Sequence, residues 1–452
     1  MAQDGDRNGC ALHGSVRLLE AIEGVVPILH ASPGCGASAG LGTDAAANSC
    51  DGPVASVREL SATVLQEKQV VFGGTARLRE QIKNTLKVHN GDLYVVVTGC
   101  VPEIVGDDTP AMVKEAREQH FPVIGVASPG FKGHAWTGYA QTARALLDQA
   151  SLLPSSGDEP APDVNLLGLV PGQDPGWEGD LLELEQLLGL FGLRANRLLG
   201  YGQRASDWHR ATRARVTLVL SPWGVPAAQL LSGRYGVPAI DLGWLPTGSR
   251  DVGILFDRVG QALGFDGAKV KAASQGLDAR QRHFLAKASA ALLLGDVQKR
   301  TAIVGGTASA VGQARFLAGT LGQLVGLVVI TDQPPEERHP TIVESIRSVV
   351  GDGVHIAFLS GQAEIAAQLR TSKPELILGS ALEEGVAGSL EAAFLEVASP
   401  IHARPFFLRS YGGVTGALSL VEDLLTINQL PQCAIPAPPI SPPLAQEQEN
   451  LS

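Results

Sequence analysis

The 452-residue sequence predicts an α/β protein made of three doubly wound, Rossmann-like units, each built on a parallel sheet. Short, continuous apolar runs recur along the chain, as is typical of strands that are buried on both faces of a parallel sheet. Each run is followed by a Gly, Pro or Ser turn and then by a helical stretch, which is the order of a doubly wound fold. The chain is also about three times as long as a typical domain of ~150 residues.

The predicted elements alternate from one end of the chain to the other. Strands rich in β-branched or aliphatic residues are predicted at Val25–His30, Leu93–Thr98, Val123–Ala127, Val164–Val170, Val216–Leu220, Ala302–Val304, Val325–Ile330 and Leu376–Leu378. Helices are predicted at Ser15–Glu23, Thr109–Gln119, Leu181–Phe191 and Ser309–Leu321. Two glycine pairs, Gly73–Gly74 and Gly305–Gly306, are expected where a strand turns into a helix. The 53 glycines, against 5% aromatic residues, suit the many tight turns that this order requires.

Two changes in composition predict the boundaries between units. The segment Pro154–Asp163 combines three prolines with acidic and small residues, which is typical of a solvated linker. A long helical stretch over 262–294 is suited to carry the chain from the second unit to the third. We therefore expect a first α/β unit at 1–155, which contains three of the cysteines discussed below, a second unit at 164–270, a third at 271–430 and a proline-rich tail at 431–452.

Composition and missing motifs exclude several classes of function. Lys and Arg number 35 against 46 Asp and Glu, and a net charge of −11 argues against nucleic-acid binding. The chain has neither a basic start followed by an apolar run nor an apolar stretch of ~18 residues, so we expect a cytoplasmic protein without a membrane span. It contains no P-loop, Cys-x-x-Cys, His-Glu-x-x-His or Gly-x-Ser-x-Gly motif, which disfavours ATP binding, the usual zinc sites and simple hydrolase chemistry.

Three of the five cysteines stand where ligands of a cluster are expected. Cys35 and Cys100 each follow a predicted strand, and Cys10 precedes a helical stretch. Ligand sites of parallel sheets form at the carboxyl ends of the strands, and neighbouring glycines let an inorganic cluster approach the backbone. Simple iron–sulfur clusters generally take four cysteine thiolates, so another subunit or a ligand other than cysteine would have to complete the set. Three ordinary buried cysteines are the alternative.

Several motifs, in order, resemble the component-1 subunits of nitrogenase and nitrogenase-like reductases. They are Cys10-Ala-Leu-His-Gly, Ile22–His30 (IEGVVPILH), Pro33-Gly-Cys35, Val71-Phe-Gly-Gly74, Thr98–Asp108 (TGCVPEIVGDD), Phe121–His134 (FPVIGVASPGFKGH), Leu376–Ser380 (LILGS) and Ser410–Gly416 (SYGGVTG). The resemblance extends over most of the chain and is densest up to about residue 140.

The resemblance implies a role for four residues. Cys10, Cys35 and Cys100 match the cysteines with which each such subunit holds the interfacial P-cluster. This [8Fe–7S] cluster is shared with an α-type partner. A simpler [4Fe–4S] cluster is the alternative. Phe72 matches a surface residue at the docking site of the ATP-dependent [4Fe–4S] reductase, a homodimer. Gly106-Asp107-Asp108 is expected to cap the following helix. The family also implies a heterodimer with the α-type subunit, two of which form an α2β2 assembly.

A β-type subunit is the closer match. The α-type subunit holds the catalytic metallocluster with a cysteine in mid-chain and a histidine near its end. Here no cysteine lies between Cys100 and Cys433, and Gly412 stands where the histidine would fall. We therefore expect electron transfer without catalytic residues, and a purely structural role for His402. Cys50 and Cys433 match no position with a known role.

The substrate remains open at this point. Only nine residues precede Cys10, which favours nitrogenase-like branches such as methylthio-alkane reductase over the dinitrogen-reducing enzyme. A second possibility is the β-like subunit of the scaffold on which the nitrogenase cofactor is assembled. The full set of three cysteines argues against it, because that subunit contributes fewer cysteines to a simpler cluster. A third is an α/β binding protein without a metal.

Overall fold

The computed structural model describes residues 7–35, 60–155, 157, 159–294 and 298–429. Cys50, Cys433 and the predicted tail at 431–452 lie outside these residues. Within them, the strands form three sheets in which all paired strands run parallel. The predicted α/β fold class is therefore confirmed. None of the described helices is both long and apolar enough to span a membrane.

The first sheet has the strand order β2-β1-β3-β4. Its strands are Val25–His30 (β1), Ser61–Ala62 (β2), Leu93–Thr98 (β3) and Val123–Ala127 (β4). The helices around it are Ala11–Glu20 (α1), Glu67–Phe72 (α2), Thr75–Val88 (α3), Cys100–Val105 (α4), Thr109–Glu118 (α5) and Ala135–Asp148 (α6).

The second and third sheets follow in the sequence. The second, with the order β6-β5-β7-β8, consists of Val164–Leu167 (β5), Ala195–Asn196 (β6), Val216–Val219 (β7) and Ala239–Asp241 (β8). The third, with the order β11-β10-β9-β12-β13, consists of Arg300–Gly305 (β9), Leu324–Ile330 (β10), His355–Phe358 (β11), Leu376–Gly379 (β12) and Ala393–Glu396 (β13). The remaining helices are Trp177–Gly189 (α7), Ala205–Ala211 (α8), Val225–Tyr235 (α9), Gly248–Leu263 (α10), Gly267–Leu294 (α11), Thr307–Gly319 (α12), His339–Val350 (α13), Gln362–Ser372 (α14), Glu384–Ser389 (α15) and Gly413–Gln429 (α16).

Strand β3 shows why the first sheet is covered on both faces. All six of its residues are buried, and they alternate between two apolar cores. Val95 and Val97 face the core to which α1 and α6 contribute. Tyr94 and Val96 face the core formed with α3 and α5. The continuous apolar run in the sequence thus reflects burial on both faces.

One of the two glycine pairs does not end a strand. Gly305 is the last residue of β9 and Gly306 precedes α12, so a strand turns into a helix there as predicted. Gly73 and Gly74 instead join α2 to α3, so the prediction of a strand before them is wrong. Helix α2 ends at this turn, where Gly73 has a φ of +87°, a conformation that a residue with a Cβ rarely adopts. The preceding apolar residues, Val70 to Phe72, lie on an exposed helix rather than on a buried strand.

Helices α1 and α6 pack closely because a glycine on each lies against the backbone of the other. A Cβ atom on Gly14 would lie 1.8 Å from the carbonyl oxygen of Ala135, and one on Gly138 would lie 1.9 Å from that of Ala11. The Ser15 hydroxyl also donates to the Gly138 carbonyl at 3.2 Å. This contact fixes the start of α1, which Cys10 precedes, against α6.

We expect the Gly14→Ala substitution to destabilise the protein by about 2–3 kcal/mol, because the two helices would have to separate to admit one methyl group. The control is Gly276→Ala in the exposed part of α11, where a Cβ atom meets nothing within 4 Å. It should stabilise the protein by about 0.5–1 kcal/mol, since alanine loses less conformational freedom in a helix. Urea denaturation followed by intrinsic fluorescence measures both shifts. Equal midpoints for the two variants would contradict the packing account.

Candidate functional site

The carboxyl ends of three neighbouring strands meet at one edge of the first sheet. His30, the last residue of β1, pairs with Thr98, the last residue of β3, and Thr98 pairs with Ala127 at the end of β4. The chain leaves β1 toward Cys35, β3 toward Cys100 and β4 toward Gly130. Because the strands are parallel and in register, the turns that follow them are brought together at this edge.

Cys10 and Cys100 converge on Gly130. The amide of Gly130 donates to the Cys100 sulfur at 3.1 Å. A Cβ atom built on Gly130 would lie 3.2 Å from Cys10 Cβ, 3.4 Å from Cys100 Sγ and 3.7 Å from Cys10 Sγ. Cys10 is the residue that precedes α1, and Cys100 is the first residue of α4, so both thiols lie at helix N-termini, where negative charge is favoured. A side chain at position 130 would crowd both cysteines.

Cys35 completes the group of thiols. Burial raises the pKa of the Cys35 thiol, and negative charge on Cys10 and Cys100 raises it further. All three are half-buried free thiols. The structure thus places Cys10 and Cys100 together at Gly130 and Cys35 near enough for their charge to affect its thiol. The role of the three cysteines is taken up below as a proposal.

Thiolates are the usual protein ligands of iron–sulfur clusters, and these three fit that donor set. The Gly130 amide, which points at the Cys100 sulfur, is the kind of backbone donor that stabilises charge on sulfur. In the part of the chain that the structure describes, no group of three or more His, Cys, Asp or Glu side chains is arranged to hold a metal ion. One signal for Gly130 in the sequence was overlooked: Ser128-Pro-Gly130 follows β4 much as Ser32-Pro-Gly34 follows β1.

Asp107 and Asp108 have different roles. The Asp108 carboxylate accepts a hydrogen bond from the Ala111 amide at 3.0 Å and caps α5, as expected. The expectation that Asp107 serves the same cap is wrong. Its carboxylate accepts hydrogen bonds from the Gly74 amide at 2.6 Å and from the Thr75 hydroxyl at 3.4 Å, so it binds the α2–α3 turn.

His30 joins this turn to the edge that carries the cysteines. Its Nε2 lies 3.0 Å from Asp107 Oδ2, and its Nδ1 lies 3.1 Å from the Thr63 hydroxyl. Burial lowers the pKa of the His30 imidazole, although Asp107 opposes the shift. A neutral ring that donates from Nε2 to Asp107 and accepts at Nδ1 from Thr63 satisfies both nitrogens. The carbonyl of His30 in turn accepts from the Gly99 amide at 2.9 Å, next to Cys100.

Phe72 lies on the surface close to this edge. Its side chain is 82% exposed and that of the neighbouring Val71 is 71% exposed, so Phe72 is not a core residue. None of the six residues of α2 is buried. Val70, Val71 and Phe72 are three consecutive exposed apolar residues, and exposed apolar side chains that cluster in this way are typical of a surface that contacts another protein.

Comparison with known proteins identifies the family. Residues 10–428 match the family described as nitrogenase component 1 type oxidoreductase. The chain belongs to this family. The family resemblance inferred from the sequence motifs is thus confirmed over nearly the whole chain.

Relatives with two different names match this chain. A nitrogenase molybdenum-iron protein beta chain of Methanococcus maripaludis is 23% identical, with 92% of each protein covered. A nitrogenase iron-molybdenum cofactor biosynthesis protein, NifE, of Bradyrhizobium diazoefficiens is 30% identical over 51% of this chain. That alignment spans only 41% of the relative's length.

A solved structure shows the same fold. The structure "Nitrogenase Cp1 at pH 6.5" superimposes with a TM-score of 0.75 at 18% identity and covers 95% of this chain and 93% of that one. The component-1 architecture of three parallel α/β units is therefore retained here.

We expect the Asp107→Ala substitution to loosen the α2–α3 turn, since the Gly74 amide, the Thr75 hydroxyl and His30 lose their acceptor. Each buried group left without a partner costs about 1–3 kcal/mol. Hydrogen–deuterium exchange should then accelerate across 70–76. Asp108→Ala is the matched control: it should cost about 1 kcal/mol and accelerate exchange only at the start of α5. The same exchange pattern in both variants would show that Asp107 does not hold the turn.

Proposed function

We propose that this chain is the β-type, electron-transferring subunit of a nitrogenase-like two-component reductase. Cys10, Cys35 and Cys100 would hold a P-cluster-type [8Fe–7S] cluster together with an α-type partner. The observation that carries the proposal is the convergence of Cys10 and Cys100 beside Gly130 at one edge of the first sheet, with Cys35 near enough for their charge to raise the pKa of its thiol. A cluster of this kind, when bound, accepts and releases electrons.

The surroundings of the thiols support a site completed by another subunit. Three cysteines are fewer than a simple cluster generally needs. Two large apolar side chains next to them are exposed: Phe131, which follows Gly130, is 58% exposed, and Ile104, on the same helix as Cys100, is 73% exposed. A partner that covered these side chains would remove apolar surface from water and close the site. We infer that the α-type subunit binds here, with two such heterodimers forming an α2β2 assembly.

The surroundings of Gly412 support the β-type assignment. A Cβ atom on Gly412 would lie 2.8 Å from Leu245 Cδ1 and 3.1 Å from Asp180 Oδ1. Asp180 is fixed there because it accepts hydrogen bonds from the Ser410 hydroxyl and from the Tyr411 and Gly412 amides, at 2.7–3.0 Å. A cofactor-binding histidine therefore has no room at this position. The catalytic metallocluster would belong to the partner.

Phe72 is the proposed contact for the ATP-dependent [4Fe–4S] reductase. The chain has no P-loop of its own, in keeping with nucleotide hydrolysis on a separate component. The substrate that finally receives the electrons is, on this proposal, a methylthio-alkane or dinitrogen.

The second candidate is the β-like subunit of the cofactor-assembly scaffold. It is favoured by the cofactor biosynthesis relatives, which reach 30% identity over half of this chain. The two candidates differ in the cluster, since the scaffold subunit would share a simpler [4Fe–4S] cluster. Iron and acid-labile sulfide per heterodimer, with the corresponding Mössbauer spectrum, distinguish the two. Absence of iron would leave a binding protein without a metal.

We expect Cys35→Ala to remove most of the iron from the co-purified heterodimer and to weaken its association, because the cluster would lose a thiolate ligand. Cys433→Ala, at a position without an assigned role, is the control and should retain the wild-type iron content. Iron analysis and size-exclusion chromatography under anaerobic conditions measure both effects. Full iron content in Cys35→Ala would overturn the cluster assignment.

We expect Phe72→Ala to weaken binding of the reductase by about 2 kcal/mol or more, since exposed aromatic residues often dominate interfaces. Folding and iron content should not change. Tyr201→Ala removes an equally exposed aromatic residue, also 82% exposed, from the second unit and should leave reductase binding unaltered. Reductase-dependent reduction of the complex at several reductase concentrations measures the effect. Equal titration curves for the two variants would exclude Phe72 from the docking surface.

A further inference from the structure

The segment that carries Cys10 is anchored in the third unit of the chain. The Arg7 guanidinium donates to the Ser380 hydroxyl at 2.8 Å and to both carboxylate oxygens of Glu383. The side chains of Arg7 and Glu383 are each only 2% exposed. The Asn8 side-chain amide donates to the Thr331 carbonyl at 2.8 Å. Two consecutive residues, three and two positions before Cys10, are thus bound to the turns that follow strands of the third sheet.

The anchor points lie at strand ends of that sheet. Ser380 directly follows β12, and Thr331 directly follows β10. Glu383 is itself fixed, because the carboxylate also accepts from the Ser380 amide and hydroxyl, each at 2.8 Å. Arg7 therefore meets a carboxylate that is already oriented by the turn after β12, rather than a mobile surface side chain.

The same segment is bound to the first unit on either side of Cys10. The Asn8 carbonyl accepts from the Ala135 amide at 3.0 Å, and the Ala11 amide donates to the Gly133 carbonyl at 3.1 Å. Cys10 lies between these two contacts and beside Gly130. The position of its thiol relative to Cys100 is therefore set by bonds to two separate units of the fold.

We propose that the buried Arg7–Glu383 ion pair is a positioning device for Cys10, which holds the thiol at the cluster site before any cluster is bound. This inference rests on the proposed cluster-binding function. A planar guanidinium that binds a carboxylate with two nitrogens fixes direction as well as distance. An apolar contact of the same size would bury the segment without specifying its register. The pair thus fixes the register of the segment against the third unit, and with it the position of the Cys10 thiol at the cluster site.

The chain offers a matched control. Arg315 on α12 and Asp251 on α10 form a second buried ion pair, with an Nη2–Oδ1 distance of 2.7 Å and side chains that are 4% and 2% exposed. Neither helix carries a cysteine. Loss of this pair should destabilise the fold as loss of any buried pair does, without a selective effect at Cys10.

The test compares Arg7→Gln and Glu383→Gln with Arg315→Gln. In iron-free full-length chain, N-ethylmaleimide labelling followed by mass spectrometry gives the rate of alkylation at each cysteine. Both variants of the pair should raise the rate at Cys10 several-fold and leave Cys35 and Cys100 unchanged. In the complex with the partner, both should lower the iron content and alter the spectrum of the remaining cluster. Arg315→Gln should raise no rate selectively.

Arg7→Lys keeps the experiment decisive if Arg7→Gln fails to fold. Lysine retains the charge without the two-nitrogen contact, so it should raise the rate at Cys10 to an intermediate level.

An unchanged rate, or an equal rise at all three cysteines, would overturn the positioning role. If wild-type complex contains iron and the variants behave as wild type, the positioning role fails and the proposed function stands. If wild-type complex contains no iron, the proposed function fails and with it the cluster that Cys10 would serve.

Discussion

The in-register parallel pairing of β1, β3 and β4 is the constraint on which the candidate site depends. Six consecutive residue pairs join β1 to β3, from Val25 with Leu93 to His30 with Thr98. A shift of one residue would turn the buried side chains of a strand to the opposite face, so the two apolar cores hold the register in place. Because the register is fixed, the chain leaves all three strands at one level. Cys35, Cys100 and Gly130, which follow the ends of β1, β3 and β4, lie at the same edge for that reason.

The sequence predicted the central strands well and the outer ones poorly. The five strands that it missed, β2, β6, β8, β11 and β13, each lie at the margin of a sheet. Such strands are short or only partly buried, as in His355–Phe358, so they leave no continuous apolar run to detect. β4 is also an outer strand, but its apolar run VIGVA made it visible. The placement of Cys35 and Cys100 after central strands was predictable for the same physical reason.

Contacts between distant parts of the chain could not be predicted. Arg7 and Glu383 are separated by 376 positions, and nothing in the composition around either residue points to the other. Asp107 was assigned to a helix cap because its nearest backbone donors in the sequence belong to α5. In the fold, the Asp107 carboxylate instead binds the turn at Gly74, which is distant in the sequence but within hydrogen-bonding distance in space. Local rules identify which residues can form such bonds, whereas tertiary packing selects the partner.

The central claim is that Cys10, Cys35 and Cys100 hold one iron–sulfur cluster at the surface shared with an α-type partner. Anomalous diffraction from anaerobic crystals of the purified complex, recorded on both sides of the iron absorption edge, tests it most directly. The account predicts a dense iron peak within bonding distance of all three sulfurs, between the two subunits. An anomalous map without iron at these cysteines, from a complex that contains iron elsewhere, would contradict it.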